Sequence, residues 1–184
     1  MSTHGHGGVR TALLGSVAED VVCRATVPVM PVGPRCRTAL LPGEAGDLVV
    51  ASDGSPFSKA VLPPAIGLAR TVELTLWLVE VVAPDEAVSE PGERPRDRQV
   101  EAGIDRLMTL AARIDAGSTA TRIQVLHGAD RARSITAFAE AVPAAVVALA
   151  THDRTGLARS VMGSVSSEVI RRSPCPVLVV RSAP

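Results

Sequence analysis

Tyrosine is absent from this 184-residue chain, and aromatic residues together make up only 2% of it. Its hydrophobic residues, 46% of the total, must therefore build the core from Val, Leu, Ile and Ala. Such a core suits a parallel sheet covered by helices. Lysine is nearly missing as well, since Lys59 stands alone against 18 arginines. The net charge is zero and no basic cluster exceeds the Arg171–Arg172 pair, which argues against nucleic acid and against a membrane surface as partners. No apolar run approaches the roughly 18 residues a membrane-spanning helix needs. The N-terminus has no charged segment leading into an apolar one, so no signal peptide is expected. The three cysteines, Cys23, Cys36 and Cys175, are odd in number, far apart and without C-x-x-C spacing. Reduced thiols in a cytoplasmic protein are the expectation.

What the chain does have is a copy of part of itself. Thr3-His4, Gly15-Ser16-Val17 and Pro28-Val29 return as Thr151-His152, Gly163-Ser164-Val165 and Pro176-Val177. Every pair is offset by 148 residues without a gap, and residues 3–32 hold 11 identities. A period that long is a whole domain, not a solenoid unit of about 20 to 50 residues. The expected organisation is a C-terminal fragment of a first domain over 1–34, a Gly- and Pro-rich linker over 35–46, and a complete domain over 47–184.

Within the complete domain, apolar runs alternate with helical patterns. Strands are expected at 47–52, 73–82, 120–126, 144–149 and 176–180. A helix over 56–70 should be broken by Pro63-Pro64, which remove two amide donors. A helix over 97–116 should bury Val100, Ile104, Leu107, Met108, Ala111 and Ile114. Two more helices are expected over 130–142 and within 151–173. This order predicts an α/β fold, a doubly wound five-stranded parallel sheet flanked by helices. Ligands of such sheets bind beyond the carboxyl ends of the strands, where strand order reverses. The ends in question are Ser52–Ser55, Glu80–Ala83 and Ala150–Asp153.

Ser16 with Glu19 has the spacing of a capping box, and Ser164, with Ser167 and Glu168 beyond it, occupies the equivalent places. Each helix should begin at its Gly-Ser pair, with free amides facing the preceding loop. Such amides beside a Gly-containing loop suit phosphate. A bare capping role for the two serines is the competing interpretation. His4 and His6 lack a Cys or carboxylate cluster, so they read as loop rather than metal site. Ser164 sits in no G-x-S-x-G elbow, which speaks against a catalytic nucleophile, and no catalytic constellation is visible.

The Asp53-Gly54-Ser55 turn, together with Gly163-Ser164-Val165 and Pro174-Cys175-Pro176-Val177-Leu178-Val179-Val180, resembles the universal stress protein family. The likeness covers residues 47–182, and residues 2–34 resemble the end of a preceding domain of the same kind. It implies an adenine nucleotide alpha hydrolase-like, Rossmann-like sheet and a non-catalytic stress-response role. In nucleotide-binding members, Gly-x2-Gly-x9-Gly-Ser/Thr holds ATP phosphates and an acidic residue after the first strand contacts adenosine. By that resemblance Ala51, Ser52, Asp53 and Val81 flank the adenosine part. Leu149, Ala150, Asp153, Gly163, Ser164 and Val165 make the phosphate side, and ATP or AMP is the ligand, with Mg2+ only alongside it. The motif reads Ala150-x2-Asp153-x9-Gly163-Ser164 here, so two of its three glycines are replaced. The first copy keeps Gly5, Gly15 and Ser16 but is cut off from a sheet of its own. The alternative is a nucleotide-independent interaction module. Family members dimerise through their last strands, so Val27–Val32 is expected to pair with Cys175–Val180, within one chain or between two.

Overall fold

The computed structural model describes residues 15–38, 46–83, 95–114, 119–151 and 162–181. Among the described residues, one helix, α1 (Ser16–Arg24), precedes the alternating part. That part runs β1 (Asp47–Ala51), α2 (Leu62–Thr71), β2 (Thr75–Val82), α3 (Pro95–Ala111), β3 (Thr121–His127), α4 (Arg131–Ala141), β4 (Ala144–Thr151), α5 (Ser164–Arg172) and β5 (Val177–Arg181). The five strands are parallel and lie in the order β3-β2-β1-β4-β5. Winding proceeds outward from β1 in one direction and from β4 in the other. The switch point therefore falls between those two neighbours, which pair Ala51 with Leu149.

Alternation along the strands divides the core into two layers. Leu48, Val50, Leu76, Leu78, Val146 and Ala148 face α2 and α3. Val49, Val79, Val147, Leu149, Val177 and Val179 face α4, α5 and α1. Burial of each of these Val and Leu side chains favours folding by about 1.5–3 kcal/mol, so the Val- and Leu-rich strands drive the assembly. Trp77 meets Phe138 edge-on at 5.2 Å between ring centres, and the Arg122 guanidinium lies 5.3 Å from the Trp77 ring centre.

The expected break before β2 takes a definite form. A 3-10 turn over Ser58–Val61 leads into α2, where Pro63 and Pro64 occupy first-turn positions. Amides there have no partner within the helix, so the prolines cost little. In α3, by contrast, the buried face differs from the expected one. Gly103, Leu107 and Leu110 are buried, with Ile114 just beyond the helix, whereas Ile104 and Met108 are exposed. Gly103 accounts for the rotation. A Cβ there would stand 3.2 Å from Val125 Cγ2, so the bare backbone lets the helix lie directly on the sheet.

The N-terminal segment docks beside β5. Ala18, Val22 and Cys23 of α1 are buried in the layer containing Cys175, Val177 and Val179. Val29 and Val179 form an antiparallel bridge, with Val29 N donating to Val179 O at 3.0 Å and Val179 N to Val29 O at 2.8 Å. Val177 N donates to Pro31 O at 3.1 Å. The strand expected over 27–32 is reduced to this short pairing because Pro28 and Pro31 have no amide to give. Residues 33–38 are also held. Gly33 lies so close to α5 that a Cβ would come within 1.9 Å of the Ile170 carbonyl oxygen. Arg37 N and Thr38 N both donate to Pro174 O, at 2.7 and 3.2 Å.

Candidate functional site

At the carboxyl end of β1, hydrogen bonds fold the Ser52–Ser58 segment into a tight turn. Ser52 N donates to Val79 O at 2.9 Å, anchoring the turn to β2. The buried Ser52 hydroxyl accepts from Gly54 N at 3.2 Å and shares a 2.9 Å hydrogen bond with Ser58 Oγ. Asp53 Oδ1 accepts from Ser55 N at 3.0 Å, an Asx-type turn, and Gly54 takes the left-handed conformation at φ 76°. Asp53 itself is exposed. Partial burial acts to raise its carboxyl, but hydrogen bonds from Ser55 and Ser58 together outweigh this and hold it below the ordinary range. At neutral pH the β1 rim thus presents a fixed anionic acceptor.

Across the switch point, β4 extends two residues past the Ala51–Leu149 pair, to Ala150 and Thr151. Gly163 N lies 3.5 Å from Thr151 Oγ1, which brings the start of α5 to the end of β4. The first backbone bond of α5 runs from Ser167 N to Gly163 O at 3.0 Å. The amides of Ser164, Val165 and Ser166 precede that ladder at a helix N-terminus, where partial positive charge gathers. Ser164 is exposed and Val165 half-buried.

The capping box does not form as expected. Ser16 and Ser164 are the first helical residues, and the cap positions belong to Gly15 and Gly163, which carry no side chain to accept a hydrogen bond. Glu168 is engaged instead with Arg171 and Arg172. The Gly-Ser pairs still mark the helix starts, and among the described residues no side chain caps the α5 start.

The rim therefore gathers Ala51, Ser52, Asp53, Leu149, Ala150, Gly163, Ser164 and Val165, while Val81 lies half-buried near the end of adjacent β2. Gly15 and Ser16 begin α1 on the β5 side, and Gly15 has nothing within 4 Å of where its Cβ would stand. Asp153 and Gly5 lie outside the described residues.

Two residues within the strand ends named from the sequence have partners that the sequence does not show. Thr151, positioned to anchor the α5 start, is one. The other is Glu80, a buried carboxylate on β2 held by Arg106 of α3. Arg106 Nε lies 3.1 Å from both carboxylate oxygens and Nη2 lies 2.5 Å from Oε1. The Arg106 stem also covers Gly54, whose hypothetical Cβ would come within 2.7 Å of Arg106 Cδ. A charged residue inside the apolar run Leu74–Val82 was the available signal, although its partner 26 residues on was not. A separate open hollow of about 590 Å³ lies at the end of β3, lined by residues including His127, Gly128, Arg133, Ser134 and Phe138. Asp130 at its edge is already engaged with Arg133 N and Arg172. Among the described residues no cluster of three His, Cys, Asp or Glu side chains could hold a metal, and no helix is long and apolar enough to cross a membrane.

Comparison with known proteins agrees with this geometry. A universal stress protein of Methanocaldococcus jannaschii is 29% identical over 138 residues, covering 73% of this chain and 81% of that protein. A universal stress protein of Mycobacterium tuberculosis is 28% identical over the whole chain, which spans 61% of its length. Among solved structures, one from Archaeoglobus fulgidus matches at a TM-score of 0.64 with 23% identity, over 98% of this chain and 60% of that one. A universal stress protein in complex with cAMP matches at 0.58 with 24% identity, over 75% of this chain and 98% of that one. The family model described as "Universal stress protein family" matches residues 46–181. With three quarters of its length matched by that model, the chain belongs to the universal stress protein family.

Proposed function

We propose that this chain is a non-catalytic stress-response protein of the cytoplasm whose β1/β4 rim takes an adenine nucleotide, ATP or AMP. The observation that carries the proposal is the pairing of two complementary features across the switch point. Asp53 offers a fixed anionic acceptor, suited to ribose hydroxyls or an exocyclic amine. The uncapped start of α5, beside Thr151, offers amides suited to phosphate. Ala51, Ser52, Val81, Leu149, Ala150 and Val165 supply the walls between them. The cAMP complex of a protein with the same fold supports the ligand class. Mg2+ enters only with a polyphosphate. Asp153 weakens the phosphate side, because a carboxylate replaces the glycine of the family motif.

A second reading, an interaction module working through the sheet edge, is favoured by the Val29–Val179 bridge. In that reading residues 1–34 are the last part of a first domain, 35–46 a linker and 47–184 a complete domain. The pairing beside β5 then takes the place of a contact between the last strands of two domains. Calorimetric titration with ATP and Mg2+ distinguishes the two. Nucleotide binding that disappears in Asp53→Ala, at an unchanged thermal midpoint, supports the cleft. Absence of heat at millimolar ATP leaves the interaction module.

A further inference from the structure

All three cysteines gather at the seam between the N-terminal segment and the body of the fold. Cys23 is buried in α1 within the same core layer as Cys175, which lies two residues before β5. Cys36 is half-buried and its thiol points to Thr38 O at 3.2 Å. The backbone fixes the spacing of the second pair. Arg37 N donates to Pro174 O at 2.7 Å, with Thr38 N donating to the same oxygen at 3.2 Å. Cys36 directly precedes Arg37, and Cys175 directly follows Pro174. With standard peptide dimensions and an ordinary N–H···O bond, this places the two Cα atoms no more than about 7 Å apart. Disulfides span Cα separations of about 4.4–6.8 Å.

We propose that Cys36 and Cys175 form a reversible disulfide when the protein meets a hydroperoxide, and that this bond locks the N-terminal segment onto β5. The reaction begins at Cys36, which is the more accessible of the two. Its thiolate attacks a peroxide oxygen, breaking the O–O bond to give Cys36 sulfenic acid and an alcohol or water. The Cys175 thiol then attacks that sulfur, forming the S–S bond and releasing water. Two thiols are oxidised and one peroxide is reduced, with no further electron donor or acceptor. A thiol reductant restores both cysteines.

Burial pushes the Cys175 thiol up to about 11 against a lowering contact from Ser173. Burial raises Cys36 as well, against the lowering hydrogen bond to Thr38, so both groups rest as thiols and the first step runs through the small thiolate fraction of Cys36, which makes it slow. Pro34 follows the tightly wedged Gly33, and the Val29–Val179 bridge lies upstream, so the strap is already seated where the bond would form. Closing it fixes the covering of the β5 edge and makes the availability of that edge depend on oxidation.

The test treats the whole chain with hydrogen peroxide, removes it, denatures without reductant and alkylates the remaining thiols. One alkyl group is expected on the oxidised protein against three on the reduced one, with a mass loss of about 2 Da from the bridge itself. Digestion should release a linked pair of peptides carrying Cys36 and Cys175, and the thermal midpoint should rise on oxidation and return on reduction. Cys36→Ser should abolish the bridge, and Cys23→Ser should leave it intact. Three alkylated thiols, a bridge to Cys23, a bridge persisting in Cys36→Ser, or a disulfide between two chains would each overturn the proposal.

Discussion

Replacing Arg106 by Ala isolates the Glu80 carboxylate inside the α2/α3 layer. The Glu80 side chain is 7% exposed and that of Arg106 is 44% exposed. Removing one partner of a fully buried pair costs about 3–5 kcal/mol, because the remaining charge has no compensation. Exposed pairs contribute only about 0–1 kcal/mol. Here the acid is buried but the cation is screened on one side, so a loss of about 2 kcal/mol is expected for Arg106→Ala at neutral pH. In a domain of this size that lowers Tm by about 4–8 °C. The double variant Glu80→Leu/Arg106→Leu removes both charges and should recover most of the loss, since a hydrophobic replacement of a buried pair is often neutral. Differential scanning calorimetry and urea unfolding both read the effect. A loss under about 0.5 kcal/mol for Arg106→Ala, or a double variant no more stable than the single one, would refute the argument that Arg106 compensates the buried Glu80 side chain.

Other consequences follow from the same geometry. Gly33→Ala forces a Cβ into the Ile170 carbonyl, so the N-terminal strap must shift; amide hydrogen exchange should accelerate at Val29, Val177 and Val179 while β1 and β2 stay protected. Glu73 holds φ 58° in the turn between α2 and β2, so Glu73→Gly should stabilise the fold by up to about 1 kcal/mol, read by urea midpoint. Asp130 is held below its ordinary value first by the Arg133 amide and then by Arg172, and Glu168 first by Arg171 and then by Arg172. Carboxyls lowered on folding contribute stability that is complete above their ordinary values near 3.8 and 4.5 and is lost as pH falls further. Asp130→Asn/Glu168→Gln should therefore flatten the decline of Tm between about pH 4.5 and pH 3.

The sequence revealed the alternation of strands and helices because the Val- and Leu-rich runs are short and the Gly, Pro and Asp residues between them are strong punctuation. Pro63-Pro64 announced the break before α2, whereas the switch point between β1 and β4 came only with the strand order of the folded sheet. The rotation of α3 was hidden, because Ile104 and Met108 fit a helical stripe as well as Leu110 does. Only the close approach permitted by Gly103 turns them outward. The serine caps were misplaced by one residue, a shift that periodicity cannot resolve but that removes a capping side chain from the α5 amides. At the rim, Asp53, Gly163 and Ser164 could be singled out by type and spacing. Thr151 and Arg106 could not, since each acts through a partner 12 or 26 residues away and carries no local pattern.

The proposed function has an adenine-nucleotide cleft with its phosphate side weakened by Asp153, which stands where the family motif has glycine. A carboxylate about 4 Å from a phosphate costs roughly 4 kcal/mol at an effective dielectric near 20. That is up to about three decades of affinity. Calorimetric titration of the chain and of Asp153→Gly with ATP and Mg2+, side by side, measures it directly. Weak binding is expected of the unaltered chain, and binding tighter by as much as about a thousandfold of the variant. Equal affinity in both, or no binding by either, would contradict it.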